Sequence, residues 1–256
     1  LSLCKSICEN IDFISHQAAL GSVPRSIKDP ITSNDVNVQG FLNVIFQAQK
    51  NKIKKFIYAS SSSVYGDNED LPKRELMVGK PMSPYALTKS INEDYAEIFS
   101  KIYGLKTIGL RYFNVFGPNQ DPNGPYAAVI PKFINSFING ISPVINGDGT
   151  FSRDFTYVDN VAFFNRLVIE SEMESNFNVF NVAFGSRISI IEMAKLIKQK
   201  LSLKNSNIKN IDILHGEERA GDVPHSLASI KKAKRLINYQ PKVDFEQGLT
   251  KTIEWF

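Results

Sequence analysis

Short apolar runs alternate along the chain with segments whose apolar residues recur at helical spacing. Strands are predicted at 11–15, 54–60 and 105–113, and the first of these, IDFIS, has the continuous apolar character of a buried strand. Helices are predicted at about 31–50 and 83–101, and Pro84 stands where a first-turn proline is tolerated. Strands that alternate with helices indicate right-handed crossovers and parallel pairing. The pattern predicts an α/β fold with a Rossmann-like doubly wound parallel sheet.

The composition of the sequence changes after Phe113. Residues 114–125 are rich in Gly, Pro, Asn and Asp, which is typical of a long ordered loop, and short elements joined by polar loops follow. We assign 1–113 to the sheet domain, with 154–184 returning to it, and 114–153 and 185–256 to a smaller α/β lobe. Such a lobe is expected over the carboxyl edge of the sheet, where open parallel sheets bind ligands.

Composition excludes several classes of protein. The chain has 256 residues, 43% of them hydrophobic, which is enough for one or two globular cores. The net charge is only +4 with scattered basic residues, so nucleic-acid binding is not expected. No run approaches the roughly 18–20 apolar residues of a membrane span, and the first twenty residues lack the ordered features of a signal peptide. We therefore expect a cytoplasmic protein.

The two cysteines, Cys4 and Cys8, lie four residues apart on a predicted helix. A disulfide framework or a zinc site would need further sulfurs or nearby histidines. Reduced, half-buried thiols and no metal site are expected.

Tyr85 and Lys89 form a Y-x-x-x-K pair on the predicted helix 83–101, where a spacing of four places them on one face. A tyrosine with a pKa near 10 is a poor base at neutral pH, but an adjacent ammonium favours its phenolate. Tyrosine could then take a proton from a substrate hydroxyl and return it. Such pairs also occur on many exposed helices, so the pair by itself is weak evidence.

A run of serines, Ser60 to Ser63, strengthens this interpretation. It follows the strand 54–60 and therefore lies at the carboxyl edge of the predicted sheet, about two dozen residues before Tyr85. A serine hydroxyl there could share the hydrogen bond of a substrate hydroxyl. The alternative is a polar strand end that leads into a turn at Tyr65 and Gly66.

With these motifs in this order, the chain resembles the extended short-chain dehydrogenases of the sugar-nucleotide epimerase and dehydratase family. The matching segments are HQAALGSVPRSIKDP (16–30), YASSSSVYG (58–66), SPYALTK (83–89), LRYFNVFGP (110–118), NGDGTFSRDF (146–155) and ERAGDVPHSLA (218–228). They span essentially the whole chain. In detail, SVPRSIKDP and NQDPNGPYAAVIPKF are most similar to UDP-N-acetylglucosamine 4-epimerases of polysaccharide and O-antigen pathways.

The resemblance implies a set of roles for the sheet domain. Tyr85 would be the base, Ser61 its catalytic serine partner, and Lys89 its electrostatic partner and a ligand of the nicotinamide ribose. The cofactor would be NAD, and the residues along it, besides Tyr85 and Lys89, would be Ala18, Ala19, Leu20, Asn37 and Tyr112. Asn37 would also brace the strand end near Leu20.

The same resemblance implies a UDP-sugar site that is formed partly by the smaller lobe. Ser22, Ser61, Ser62 and Ser63 would line the sugar pocket, and Asn114 would meet the diphosphate. Arg153 and Arg219 would hold phosphate oxygens, which suits the fork of donors on a guanidinium. Asn146 would lie near the uracil, and Asp222 would accept a hydrogen bond from the uridine ribose.

The residues at positions 62 and 63 distinguish between reactions of the family. Dehydratases carry an Asp-Glu pair there, and related decarboxylases carry a glutamate at the second position, whereas this chain has Ser62 and Ser63. Elimination is therefore disfavoured, and C4 epimerisation of a UDP-hexosamine through a 4-keto sugar is favoured. UDP-glucuronate or UDP-glucose 4-epimerisation, or a nucleotide-binding fragment without catalysis, remain alternatives.

The family's glycine-rich turn, which cradles a pyrophosphate, is not found among the 15 glycines. By comparison with the family, about 80 residues before Leu1 are expected to belong to the same domain and to contain that turn. We expect the 256 residues by themselves to be unstable and to bind NAD poorly. The residues that would distinguish NAD from NADP fall in that preceding segment. The resemblance also implies a homodimer through helices 31–50 and 83–101.

Overall fold

The computed structural model describes residues 2–124, 127–218 and 223–256. The strands, in chain order, are β1 (Phe13–His16), β2 (Lys55–Ser61), β3 (Thr107–Tyr112), β4 (Val115–Phe116), β5 (Val144–Asn146), β6 (Ser152–Arg153), β7 (Thr156–Tyr157), β8 (Phe177–Val182), β9 (Ile188–Ser189) and β10 (Leu214–Gly216). The α-helices are α1 (Ser2–Ile7), α2 (Val23–Lys28), α3 (Pro30–Asn34), α4 (Gly40–Lys50), α5 (Pro84–Tyr103), α6 (Val129–Ile138), α7 (Val158–Glu170), α8 (Ile190–Lys204), α9 (Lys231–Ile237) and α10 (Phe245–Trp255).

Two compact units make up the chain. The first contains Leu1–Tyr112, Phe163–Val182 and Ser229–Gln240, and the second contains Phe113–Ala162, Ala183–Ala228 and Pro241–Phe256. The sequence-based division assigned 154–184 to the sheet domain and all of 185–256 to the other lobe. In the structure, β7 pairs with β4 inside the second unit, and α9 packs on β8 inside the first. The units therefore interleave along the chain more than composition indicates.

The first unit is built on a four-stranded sheet in the order β1-β2-β3-β8, and every neighbouring pair is parallel. This confirms the predicted α/β class and the Rossmann-like parallel sheet. Parallel pairing aligns the carboxyl ends of the strands, so Ser61 of β2 lies opposite Tyr112 of β3. The two strand ends that the motifs singled out are thus neighbours.

The prediction that the first strand is buried was wrong. Residues of β1 alternate between exposed and half-buried, and Phe13 is 41% exposed. The cause is position, because β1 is an edge strand that pairs only with β2 among the described strands. An apolar run alone cannot distinguish an edge strand from a central one.

The helix predicted at 31–50 is divided into α3, a π-helical turn at Asp35–Gln39, and α4. π turns occur mostly as single turns within longer helices, often at functional sites. Asp29 caps the start of α3, where its side chain accepts a hydrogen bond from the Thr32 amide (3.0 Å). The π turn places Asn37 among the buried residues, although it is polar.

Aromatic residues form the centre of the first unit's core. Phe41 of α4 contacts Phe56 and Tyr58 of β2 edge-to-face, with ring centroids 5.5 and 5.2 Å apart. Ala96 and Phe99 of α5 join the same buried cluster. The core thus fixes α4 and α5 against one face of β2.

The described residues of the second unit form three two-stranded ladders, β4–β7, β5–β10 and β6–β9. Its core gathers residues of α6, α8 and α10, including Phe137, Ile197 and Leu249. A capping box at Ser189 and Glu192 begins α8, and another at Asp244 and Gln247 begins α10. Among the helices of the described residues, none is long and apolar enough to cross a membrane.

Candidate active site

Helix α5 positions Tyr85 and Lys89. Ser83 is its N-cap and accepts a hydrogen bond from the Ala86 amide (3.1 Å), and Pro84 occupies the first turn. Tyr85 therefore lies at the start of the helix, one turn before Lys89, on the side that faces the sheet. The Tyr85 amide donates to Ser26 Oγ of α2 (3.0 Å), which holds this end of α5.

Lys89 is almost fully buried, with 3% of its surface exposed. Its Nζ donates to the Ala59 carbonyl of β2 (2.8 Å) and lies 5.9 Å from the centre of the Tyr85 ring. Burial lowers the pKa of Lys89 to about 8. The ammonium is therefore held at the carboxyl end of β2 and is close to its titration point at neutral pH.

Tyr85 begins α5 and Ser61 ends β2, and the two residues are close enough for Ser61 to influence the Tyr85 phenol. Burial raises the pKa of the Tyr85 phenol, and a hydrogen bond with Ser61 lowers it. Desolvation outweighs the effect of Ser61 on the pKa of Tyr85 in the chain alone. Ser61 is the group that opposes this rise.

Asn37 ties the loop after β1 to α5. Its Oδ1 accepts from the Leu20 amide (2.7 Å), and its Nδ2 donates to the Leu20 carbonyl (3.0 Å) and to Thr88 Oγ1 (3.2 Å). Thr88 in turn donates to the Tyr85 carbonyl (2.8 Å). This chain of bonds connects the loop residue Leu20 with the helix that holds Tyr85.

The other predicted site residues in the loop after β1 are Ala18, Ala19 and Ser22. Ala18 is exposed and Ala19 half-buried. The Ser22 hydroxyl accepts a hydrogen bond from the Arg25 amide (3.2 Å) as the N-cap of α2. Ser22 thus has a capping function that sequence reasoning did not identify.

Tyr112 lies on the opposite face of the sheet from α5. Side chains alternate along β3, so Arg111 points to Glu93 of α5, while the Tyr112 hydroxyl donates to Gln17 Oε1 (2.9 Å) and accepts from Asn165 Nδ2 (3.1 Å). The structure therefore brings Ser61, Lys89 and Tyr85 together at the carboxyl end of β2, and Tyr112 is the register partner of Ser61 on β3.

A buried ionic network next to these residues was missed from the sequence. Glu93 of α5 accepts from Arg111 at both carboxylate oxygens (2.9 and 2.6 Å) and from the Ser60 hydroxyl. Glu93 continues the spacing of four set by Tyr85 and Lys89, so the whole series faces β2. This continued spacing of four is the sequence signal that could have identified Glu93.

The second unit holds the other predicted residues that the structure describes. Asn114 has a positive φ of 34° and donates to the Asp154 carbonyl (3.2 Å). Asn146 is exposed at the end of β5. Arg153 donates from Nη1 to the carbonyls of Ser152 and Pro224 (both 3.0 Å). Arg219 and Asp222 lie outside the described residues.

Asp154, directly after Arg153, is fully buried and accepts hydrogen bonds from the amides of Phe184, Gly185 and Ala228. Burial raises the pKa of this carboxyl to about 7, and the three amides oppose the rise. Asp154 thus joins three segments of the second unit beside Arg153. Sequence reasoning did not single it out.

Comparison with known proteins identifies the family. Residues 2–183 match the model of the NAD dependent epimerase/dehydratase family. The chain belongs to this family. Its fold is similar to that of a UDP-N-acetylglucosamine 4-epimerase from Methanobrevibacter ruminantium M1 in complex with UDP-N-acetylmuramic acid, with a TM-score of 0.92, 43% identity, and coverage of 99% of this chain and 79% of that one.

Two further solved structures bind other sugar nucleotides. A UDP-glucose 4-epimerase from Thermotoga maritima, with UDP-glucose, is 34% identical, with a TM-score of 0.91 and coverage of 100% of this chain and 81% of that one. A UDP-glucuronic acid 4-epimerase from Bacillus cereus, with UDP-glucuronic acid and NAD, is 26% identical, with a TM-score of 0.88 and coverage of 98% and 77%. The relatives thus include 4-epimerases with three different sugars in their names.

Membership of the family implies NAD as the cofactor, and the donors of the first unit fit the ribose of such a molecule. The bond from Lys89 to Ala59 uses one of the three donors of the ammonium. The loop at Leu20 is held at both its amide and its carbonyl by Asn37. Hydroxyl oxygens of a ribose are suitable acceptors for the remaining lysine donors.

Proposed function

We propose that the protein is a UDP-sugar 4-epimerase that acts on UDP-N-acetylglucosamine and UDP-N-acetylgalactosamine. The observation that supports this most strongly is the cluster of Ser61, Tyr85 and Lys89 at the carboxyl edge of the sheet. Positions 62 and 63, next to this cluster, carry serine hydroxyls and not carboxylates. The 43% identity to a UDP-N-acetylglucosamine 4-epimerase supports the acetylated sugar.

In this proposal, Ala18, Ala19, Leu20, Asn37, Tyr85, Lys89 and Tyr112 are the residues that hold NAD. Bound NAD supplies a reversible hydride acceptor, so no external oxidant is consumed. Lys89 donates to the ribose and holds positive charge next to Tyr85. Asn37 acts through Leu20, because it fixes the backbone of the loop that lies along the cofactor.

Tyr85 is the general base and acid of the proposed reaction. It takes the proton of the C4 hydroxyl while C4 is oxidised to a ketone, and it returns that proton when C4 is reduced from the opposite face. Ser61 stabilises the ionised Tyr85, and burial of the site strengthens this hydrogen bond. Ser62 and Ser63 provide no acid or base for elimination.

Residues of the second unit are proposed to hold the nucleotide. Arg153 and Arg219 bind the diphosphate, and Asn114 lies beside it. Asn146 contacts the uracil, and Asp222 contacts the uridine ribose. Because the diphosphate stays fixed, the oxidised sugar can present its other face without leaving the protein.

The test is to incubate the protein, expressed from its complete reading frame, with NAD and each of three substrates. These are UDP-N-acetylglucosamine, UDP-glucose and UDP-glucuronate, and C4 inversion is followed by proton NMR. We expect inversion of UDP-N-acetylglucosamine, and loss of this activity in Tyr85→Phe. Inversion of UDP-glucuronate alone would reassign the substrate, and inversion of none would contradict the epimerase proposal.

UDP-glucuronate or UDP-glucose 4-epimerisation is the second candidate, because both activities occur in the names of structural relatives. The serine run SSSVYG is shared with UDP-glucuronate 4-epimerases and does not distinguish the two. A nucleotide-binding protein without catalysis is a third candidate. The intact set of Ser61, Tyr85 and Lys89 argues against it.

We propose that the protein works as a cytoplasmic homodimer in the synthesis of surface polysaccharide. Large apolar side chains of α2, α3 and α5 are exposed: Ile27 (64%), Ile31 (75%), Leu87 (50%), Ile98 (48%) and Ile102 (68%). A second copy of the same surface would cover them. Ile102→Asp is expected to lower the mass measured by light scattering from that of a dimer to that of a monomer.

A further inference from the structure

Asp154 directly follows β6 and binds two segments that are distant from it in sequence. Its Oδ1 accepts hydrogen bonds from the amides of Phe184 (3.2 Å) and Gly185 (3.3 Å), and its Oδ2 accepts from the amides of Gly185 (3.1 Å) and Ala228 (3.1 Å). A backbone amide can only donate, so the direction of each bond is fixed. The carboxylate of this fully buried residue therefore joins residues 184–185 to Ala228.

The segment 224–228 lies alongside Ser152 and Arg153. The Ser152 amide donates to the Pro224 carbonyl (3.0 Å), and the Ser226 amide donates to the Ser152 carbonyl (2.9 Å), which forms a short parallel bridge. Arg153 Nη1 donates to the same Pro224 carbonyl (3.0 Å). One contact that orients the Arg153 guanidinium thus comes from the segment that Asp154 binds.

A carboxylate suits position 154 because both of its oxygens accept hydrogen bonds. An asparagine of the same shape has one acceptor oxygen, and its NH₂ group would face one of the donating amides. The contact with either 184–185 or Ala228 would then be lost. Burial of the charge is unfavourable and raises the pKa of Asp154 to about 7, and the amides oppose this effect. Asp154→Asn therefore breaks the link between the two segments without a change in side-chain size.

We propose that Asp154 is a positioning residue for the diphosphate of the substrate. Its bond to the Ala228 amide holds the segment 224–228 beside β6, and the Pro224 carbonyl in that segment fixes the direction of the Arg153 guanidinium. A guanidinium that is held before the ligand arrives loses less conformational freedom when it binds. Asp154 acts through Arg153, so the inference rests on the proposed function, in which Arg153 binds the diphosphate.

A purely structural role is the alternative, because buried polar side chains commonly bind distant segments of backbone. Asn160 provides a matched control in the same unit. It is 1% exposed, its Oδ1 accepts from the amides of Lys242 (2.8 Å) and Val243 (3.1 Å), and its Nδ2 donates to the Val243 carbonyl (2.6 Å). Asn160→Asp disturbs bonds of the same kind, but these bonds lead to 242–243 and not to the segment 224–228.

The experiment measures the binding of UDP and of NAD by calorimetry to the protein expressed from its complete reading frame. Circular dichroism first establishes a temperature at which every variant is folded. Asp154→Asn is expected to weaken UDP binding about tenfold, the effect of one hydrogen bond to a charged group, and to leave the Kd of NAD unchanged. Asn160→Asp is expected to lower the melting temperature but to leave both dissociation constants unchanged.

A double-mutant cycle tests whether Asp154 acts through Arg153. In the Arg153→Ala background, Asp154→Asn is expected to cause no further loss of UDP affinity. In an active enzyme, Asp154→Asn should raise KM for the UDP-sugar and leave kcat unchanged. Unchanged UDP affinity in Asp154→Asn, an equal loss of NAD affinity, or the same loss of UDP affinity in the Arg153→Ala background would each overturn the proposal.

Ser152→Ala covers the case in which Asp154→Asn does not fold. Ser152 Oγ contacts His225 Nδ1 (2.9 Å), a second side-chain contact that holds the segment 224–228 beside β6. Its loss is expected to weaken UDP binding about threefold, and unchanged UDP affinity would overturn the proposal. If the unmodified protein binds no UDP, both the proposed function and the role of Asp154 fail. If it binds UDP equally well with and without the carboxylate, only the role of Asp154 fails.

Discussion

The buried pair between Glu93 and Arg111 is expected to contribute strongly to stability. Side-chain exposure is 12% for Glu93 and 4% for Arg111, and the carboxylate accepts two bonds from the guanidinium. Arg111 also donates to the Glu75 carbonyl (2.8 Å), and Glu93 accepts from Ser60. Ser60, Glu93 and Arg111 thus join β2, α5 and β3 directly beside the proposed base.

Glu93→Gln keeps the size of the side chain but leaves the Arg111 charge buried without its counter-charge. Removal of one partner of a buried pair typically costs about 3–5 kcal/mol. For a chain of this length, each kcal/mol lowers the melting temperature by about 2–4 °C. We therefore expect the melting temperature to fall by about 6–20 °C.

Thermal unfolding followed by circular dichroism measures this effect. The matched control is Glu97→Gln on the same helix, whose pair with Lys101 is exposed and should contribute less than about 1 kcal/mol. The double variant Glu93→Leu with Arg111→Met should recover most of the loss, because neither charge of the buried pair remains. A Glu93→Gln melting temperature equal to that of the control would refute the reasoning.

Three further predictions concern single groups of the first unit. Burial lowers the pKa of Lys89 to about 8, so activity should decline as the pH rises through that value and the amine loses its charge. A kcat that stays constant up to about pH 9 would contradict this. Burial, and to a smaller extent the charge of Lys89, lowers the pKa of His16 from 6.5 to about 4. The neutral form of His16 therefore stabilises the fold, and this stability is lost as the pH falls from 6.5 towards 4. His16→Phe should reduce that acid-dependent drop in melting temperature. The buried Nζ of Lys55 donates to carbonyls at the end of α7, so Lys55→Met should lower the free energy of unfolding by about 1–3 kcal/mol. An unchanged midpoint of urea unfolding would contradict this, because it would show that water replaces the ammonium.

Periodicity predicted the parts of the fold that depend on local sequence. The central strands, the long helix α5 and the parallel order could be predicted from the sequence, because apolar runs and helical spacing are local signals. The exposure of β1 could not be predicted from local sequence, because it depends on which strands lie beside it. The π turn at Asp35–Gln39 also lacks a local signal.

The candidate site was predictable as a set of residues but not as a set of contacts. Spacing placed Tyr85 and Lys89 on one face, and the strand end placed Ser61 opposite them. The effect of burial on the pKa of Tyr85 depends on packing, which sequence spacing does not report. The Glu93 pair with Arg111 joins residues on different elements, so it required the fold.

The parallel order of the sheet also determines when it can form during synthesis. Each of its strands pairs with a partner that is separated from it by a helix-containing segment, and β8 leaves the ribosome after much of the second unit. Contacts between residues distant in sequence form slowly, because the intervening chain must first lose its freedom. Until Val182 is synthesised, the side of β3 that β8 will cover stays open to other strands. Slow translation of residues 113–176 would prolong that interval, so the yield of native protein should depend on expression temperature.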